Sequence, residues 1–489
     1  MALPALIEIV PLDKPVRAEV TVPGSKSITN RALILAAVAA GDVELEGALW
    51  SEDTQVMVEC LQRLGFAITV TPDPEEASNR TIAVRGRGGQ VLLGGTEERP
   101  LELFVGNAGT AARFLAAFVC LGQGVFRLHG LPRMHERPQA ELFAALRQLG
   151  YEVRAEHGNE KLPARILGGG AWPGRDAPLA GGASPSARPA ARSCSVSIKG
   201  SSQFASALLL CAQAGGWKVE IQGENSEESP YVAMTTKLIE AFPARGGRFQ
   251  IEADASSACY FLAAGMLAPE QERLEFSPRW GVAAPTTRMS SIGVANRPSS
   301  GWQIDEHFDL LWVFWHMEPG KVLSGQLAAD ARSWLGRRAE MLEGAISRAH
   351  DLGDSIMMAI VLAPYACKPT RFTDLGRLRV QECERVAALR TELTRCGANV
   401  VEEADMLTVF PSQLHGAEIE TYHDHRMAMC FAILGLKVPG IRIKNPACVK
   451  KTFPNFFQKL AAAPPRGLGA TILDGATGRR LSGDELFAE

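Results

Sequence analysis

The chain has 489 residues with 46% hydrophobic and 21% charged content, which allows two or three full-cored domains and excludes a disordered or fibrous protein. A net charge of −3 excludes a bulk basic field for nucleic acid, so an anion site has to be built from local Lys and Arg. No apolar run reaches the ~18–20 residues of a membrane span, and residues 1–15 lack a signal or transit pattern, so the expected location is cytoplasmic.

Residues 7–9 and 18–22 read as strands. A Pro23-Gly24 turn then opens the stretch Ser25-Lys-Ser-Ile-Thr-Asn-Arg31, followed by the apolar run 32–41. The polar residues crowd at the start of a helix that is apolar all round, hence buried. Its first N–H groups, with Lys26 and Arg31, suit an anion. A plainer reading is a capped buried helix with two solvated cations, and the spacing is not that of a Walker A loop.

The pattern recurs. Short polar clusters at 106–110, 201–203, 254–257, 354–355 and 424–426 each lead into an Ala-rich apolar helix. Three copies precede residue 212 and three follow residue 253, which predicts two domains of three repeats. Opposed, the polar helix starts of two such domains would form an anion-binding cleft. Within the first repeat, 43–49, 67–71 and 81–85 alternate as strands do, and 54–64 has helical spacing up to Gly65. The second has a buried helix from Gly109, a strand at 125–129, an amphipathic helix at 139–149 and a strand at 151–155. The order is β-α-β-α-β-β, and no Gly-x-Gly-x-x-Gly marks a Rossmann domain.

Residues 167–193 are Gly/Ala/Pro/Arg-rich without period and predict a loop or disorder. In 279–340 the repeat signal is lost, and Trp302, Trp312, Trp315 and Trp334 fall together, which predicts a poorly packed segment. Residues 464–489 read as an appended C-terminal tail with one short strand at 470–473. The ten cysteines include no CxxC pair; Cys120, Cys211, Cys259 and Cys430 lie on the apolar helices and read as core residues of a reducing compartment, not disulfide partners or zinc ligands. His423 and His425 form an H-x-H pair that lacks a third histidine or a cysteine, so no metal is expected.

Taken together, the motifs resemble those of the 5-enolpyruvylshikimate-3-phosphate synthases (3-phosphoshikimate 1-carboxyvinyltransferases) of the enolpyruvyl transferase family. They are Pro-Gly-Ser-Lys-Ser-Ile-Thr-Asn-Arg at 23–31, Gly-Asn-Ala-Gly-Thr-Ala-Ala-Arg at 106–113 and Pro-Arg-Met-His-Glu-Arg-Pro at 132–138. Ser-Ser-Gln at 201–203, Asp-Ala-Ser-Ser-Ala at 254–258 and Gly-Asp-Ser-Ile-Met at 353–357 follow. Arg-Val-Gln-Glu-Cys-Glu-Arg at 379–385, Tyr-His-Asp-His-Arg-Met-Ala-Met at 422–429 and Lys-Thr-Phe-Pro at 451–454 complete the series, in the family's order.

The resemblance implies an α/β fold of two domains, each with three βαβαββ repeats around buried helices (an inside-out α/β barrel), with the ligand cleft between them. Domain one would take 1–21 and 253–463, and domain two 22–252. The implied reaction joins shikimate 3-phosphate to phosphoenolpyruvate and releases phosphate, with no cofactor, no nucleic-acid or membrane partner, and a monomer as the working unit. Position by position, the resemblance assigns Lys26, Arg137, Arg385, Arg426 and Lys451 to phosphoenolpyruvate, with Asn107 and Gly109 near its phosphate. Ser27, Arg31, Ser201, Ser202 and Gln203 fall to shikimate 3-phosphate. Asp354 is expected as the base toward the hydroxyl, and Glu382 with Lys26 as the handler of the methylene proton, with His425 nearby. Two phosphates and two carboxylates in one site require such cations and oriented N–H donors.

Three departures stand out. The family's usual lysine is Gln381 and its usual asparagine four residues earlier is Arg377; read as a strand, 377–381 would place both on one face, so that Arg377 replaces the missing charge. The Gln-Gly-Asp motif due within 279–340 is missing. The alternatives are a degenerate homologue that only binds anions, or UDP-N-acetylglucosamine enolpyruvyltransferase.

Overall fold

The computed structural model describes residues 3–89, 93–169, 192–223, 230–269, 271–277, 282–288, 291–309, 311 and 345–488, with the backbone alone for 271–277, 282–288 and 309. It divides into two compact units, Met1–Pro23 with Ala253–Glu489, and Gly24–Glu252.

Each unit is built on three buried helices. In Gly24–Glu252 these are Lys26–Val38, Gly109–Phe118 and Ser202–Gly215; in the other unit they are Ala255–Leu267, Ile356–Leu362 and His425–Gly435. Their Ala, Leu and Phe side chains are almost wholly shielded, as helices apolar on every face must be. Side chains cap three of them: Asp254 accepts from Ser257 N (2.8 Å), Asp424 from Arg426 N (2.8 Å) and Ser201 from Gln203 N (3.3 Å).

Sheets flank the helices, and one pairing scheme recurs. Leu101–Phe104 pairs parallel with Gln123–His129, which pairs antiparallel with Ala164–Gly169, and that strand antiparallel with Glu152–Ala155. The same sequence of pairings runs Gly247–Gln250, Asp42–Leu49, Asn79–Arg85, Ile68–Pro72. It runs again through Ala345–Ser347, Thr370–Thr373, Met406–Phe410, Asn399–Glu403, and through Glu418–Ile419, Ile441–Lys444, Leu6–Ile9, Ile472–Asp474. A buried helix links the parallel strands in three of these sheets, and likewise links Arg192–Ser197 to Trp217–Gln222. Parallel neighbours need such a crossover.

Four expectations change. Residues 167–169 and 192–193 are strand; 170–191 lie outside the described residues. Of 279–340, residues 279–281, 289–290, 310 and 312–340, with Trp312, Trp315 and Trp334, lie outside the described residues; within the described part Ser291–Val294 pairs parallel with Arg17–Val20 and Phe308 is fully buried, while 295–297 and 299–301 are exposed. Within it, Gln303, Ile304 and Asp305 are buried. Residues 464–489 are no appendage, because Ile472–Asp474 is the fourth strand of a sheet. Finally, 377–381 is not extended. Gly376–Val380 is a 3-10 helix, where residues four apart no longer share a face, so the proposed exchange between Arg377 and Gln381 loses its geometry.

Candidate active site

In the unit Gly24–Glu252, Lys26 opens the first buried helix and its Nζ lies 3.1 Å from Oδ2 of Asp53, a largely shielded pair. Ser25, at the N-cap, makes no side-chain cap bond, and its buried Oγ has no hydrogen-bond partner. Ala108, at the N-cap of the second buried helix, has no acceptor to offer. These two helix starts lack the side-chain caps of the others, and oriented N–H groups at such starts suit an anion.

Two guanidiniums hold the turn before the second helix. Arg137 donates Nη1 to Asn107 O (3.2 Å), and Arg113 donates to Gly109 O and Pro138 O (3.0 Å each). A Cβ on Gly109 would stand 2.5 Å from Arg113 Nη1 and 2.5 Å from Arg137 Nη2, so only glycine fits without moving the arginines. Gln203 Nε2 donates to Thr110 Oγ1 (3.2 Å), tying the second and third helix starts together; Ser202 beside it is buried and Ser27 half-buried.

Arg31 is held differently. It is buried, with Nε on Thr235 Oγ1 (2.7 Å), Nη1 on Ser27 O (2.9 Å), and Nη2 on Ser206 Oγ (3.2 Å) and Tyr231 O (3.4 Å). Burial lowers its pKa to about 10, against a raising effect of Tyr231. Most of its donors are thus engaged by the protein itself.

The other unit gathers four cations and three carboxylates in one ion-pair network. Arg385, 1% exposed, donates Nε to Asp424 Oδ2 (2.6 Å) and Nη2 to Asp424 Oδ1 (3.2 Å), sits 2.8 Å from Glu382 Oε2, and donates to Gln381 Oε1. Glu382 also meets Lys451 Nζ at 3.1 Å. Asp354 faces Arg348 Nη2 on Oδ1 (2.6 Å), and Arg426 Nη2 (3.4 Å) and Arg385 Nη1 (3.9 Å) on Oδ2. Burial alone would push the Asp354 carboxyl up, but Arg348, Arg426 and Arg385 together outweigh it and hold the pKa far below the usual carboxylate range. For Arg385 and Arg426, burial favours loss of the proton, and Asp424, Glu382 and Asp354 around the first, Asp354 above all around the second, reverse this; both stay charged.

His425 is buried with Nδ1 3.7 Å from Asp424 Oδ1. Arg377 is half-buried on the 3-10 turn.

Sequence reasoning missed Asp53, Arg348 and Glu392. The first two pair with candidate site residues 27 and 6 positions away, a distance at which sequence carries no pairing signal. Glu392 accepts from Tyr422 OH (2.8 Å), bracing Tyr422 and His423, which have φ values of 54° and 56°. Such left-handed positions cost energy in non-glycine residues and persist where surroundings enforce them. They stand just before Asp424, His425 and Arg426.

Repeated β-α-β units around buried helices define an α/β protein, with side-chain-uncapped helix starts in one unit and a cation-rich network in the other. The family model of EPSP synthase (3-phosphoshikimate 1-carboxyvinyltransferase) matches residues 12–245 and 317–460. The 3-phosphoshikimate 1-carboxyvinyltransferase of Trichormus variabilis is 36% identical over 474 residues, covering 93% of this chain and 98% of the relative. That of Opitutus terrae is 36% identical over 479 residues, covering 96% and 100%. The chain belongs to the EPSP synthase family. In fold it is similar to the EPSP synthase of Acinetobacter baumannii, with a TM-score of 0.58 at 18% identity over 96% of this chain and 99% of that one. It is similar also to the enolpyruvyl transferase NikO of Streptomyces tendae, at 0.55 and 14% over 96% and 98%.

Proposed function

We propose that this chain transfers the enolpyruvyl group of phosphoenolpyruvate to the 5-hydroxyl of shikimate 3-phosphate and releases phosphate, a step toward aromatic amino acids. The observation that carries the reading is Asp354, a largely shielded carboxylate that Arg348, Arg426 and Arg385 hold ionised, so that at neutral pH it is an acceptor and not a donor of protons. The hydroxyl O–H breaks to Asp354 as its oxygen bonds to the central carbon of phosphoenolpyruvate. The methylene carbon gains a proton from Lys26. Glu382 removes a proton from the resulting methyl group as phosphate leaves, which restores the double bond. Arg137, Arg385, Arg426 and Lys451, with the Asn107–Gly109 turn, offset the donor's charges. Ser27, Arg31, Ser201, Ser202 and Gln203 are assigned to shikimate 3-phosphate. His425 supports the set from beside Asp424.

Each compact unit is read as one enolpyruvyl transferase domain, and the working protein as a cytoplasmic monomer that needs no nucleic acid. No helix among the described residues is long and apolar enough to cross a membrane. The two alternatives, an anion-binding degenerate homologue and a UDP-N-acetylglucosamine enolpyruvyltransferase, are not favoured, since the relatives are 3-phosphoshikimate 1-carboxyvinyltransferases by name. A coupled assay should show phosphate release only when both substrates are present. No release with both would overturn the reading.

A further inference from the structure

Among the cations around Asp354, Arg348 has no task in the reaction as read above. It opens the short helical turn Arg348–Leu352, is buried, and donates Nη2 to Asp354 Oδ1 at 2.6 Å, while its buried Nε has no partner. The turn is pinned in place: Ser347 Oγ accepts from His350 N (3.1 Å), and Ser347 N donates to Asp351 Oδ2 (2.7 Å). Gly353, at φ 53°, then carries the chain back toward Arg348, and a Cβ there would lie 2.6 Å from Ile304 Cγ2. The loop is shaped so that a side chain six residues earlier reaches Asp354.

The two oxygens of Asp354 are therefore not equivalent. Oδ1 belongs to Arg348, and Oδ2 faces Arg426 and Arg385 at 3.4 and 3.9 Å. Those two arginines have other anions to serve, Asp424 and Glu382 for Arg385 in the structure and phosphoenolpyruvate for both in the proposed reaction. Arg348 is the cation left to Asp354 once the donor is bound.

We propose that Arg348 is a positioning residue for enolpyruvyl transfer: it fixes Oδ1 so that Oδ2 is the oxygen that receives the hydroxyl proton. The O–H bond of the acceptor breaks, an Oδ2–H bond forms, and the freed electron pair makes the new C–O bond. The proposal rests on the reading of Asp354 as the base.

Kinetics of Arg348→Gln, Arg348→Lys, Asp354→Asn and the double variant Arg348→Gln/Asp354→Asn test it, with thermal melting and calorimetric titration of shikimate 3-phosphate on each. Arg348→Gln should lower kcat by about 10–100-fold, the scale of a small misplacement of a reacting group, with both KM values within about threefold. Arg348→Lys, which can still donate one bond to Oδ1, should recover most of that loss. On the Asp354→Asn background, Arg348→Gln should cost less than about twofold more, because two changes acting through one group do not add. Full additivity, parental kcat in Arg348→Gln, or a loss confined to melting temperature and ligand affinity would each overturn the proposal. Near-parental turnover in Asp354→Asn alone would instead remove the reading of the base.

Discussion

At the scale of single residues, the site divides into groups that move protons and groups that hold charge. Asp354→Asn and Glu382→Gln should each lower turnover by roughly 10²–10⁴, the usual cost of losing a proton-transfer group, with much smaller effects on substrate binding. Steady-state phosphate release, set against calorimetric binding, separates the two effects. Near-parental turnover in either variant removes its assignment. Gly109→Ala tests charge-holding instead. Its methyl would press on Arg113 and Arg137, whose guanidiniums hold the turn. It should therefore weaken phosphoenolpyruvate, and anions that mimic it, more than shikimate 3-phosphate; equal loss for both would displace the turn from the donor. Much of the network was legible in the sequence, since Glu382 and Arg385 lie in one motif and Asp424 and Arg426 in another. Arg348 and Asp53 were not legible, because an ion pair between separate motifs is a fact of folding and leaves no local pattern.

At the scale of elements, the six buried helices were readable because helices apolar on every face differ from ordinary amphipathic ones. What closes their ends was less readable. Gln303 accepts from Ala255 N (3.0 Å), and Asp305 accepts from Ser355 N (2.6 Å), so one short segment braces the starts of two helices. The Asp305 carboxyl is pushed up to about 6, first by burial and then by Asp354, with Arg426 opposing. Folded, it keeps its proton between the unfolded value of about 3.9 and about 6, where the unfolded chain has lost it. Stability from this group therefore falls as pH rises through that window. Asp305→Asn keeps an acceptor for Ser355 N and abolishes the titration. Its stability relative to the parent should rise from pH 4 to pH 7 by on the order of 1–3 kcal/mol. Denaturant unfolding at those two pH values measures this, and a pH-independent difference would show that Asp305 does not titrate there.

At the scale of the whole molecule, one pairing scheme serves four sheets among the described residues, and the chain supplies its strands from distant places. The sheet holding Leu6–Ile9 shows the consequence. Its members come from residues 6–9, 418–419, 441–444 and 472–474, so both ends of the described chain close one sheet. Sequence reading recovered the strand at 470–473 yet left 464–489 as a tail, because three strand residues followed by Gly, Thr and Arg carry little periodic signal. The structure makes the segment part of the fold: Gly475 N donates to Leu6 O and Ala488 N to Pro454 O, each at 2.9 Å, while Leu468, Ile472, Leu481 and Leu486 are buried. Burial of a Leu or Ile side chain is worth about 1.5–3 kcal/mol, so these four sum to roughly 6–12 kcal/mol as an upper bound. That is comparable with the whole stability of a typical domain, about 5–15 kcal/mol. Removal would also bare Leu6–Ile9 as an unpaired edge, a template for aggregation. A chain ending at Ala463 should therefore be insoluble or lack a cooperative unfolding transition for the unit Met1–Pro23 with Ala253–Glu489. Ile472→Ala, which keeps the strand and removes only buried carbons, should lose about 2–5 kcal/mol with turnover per folded molecule unchanged. A soluble truncated chain with parental melting and turnover would show instead that the fourth strand is dispensable.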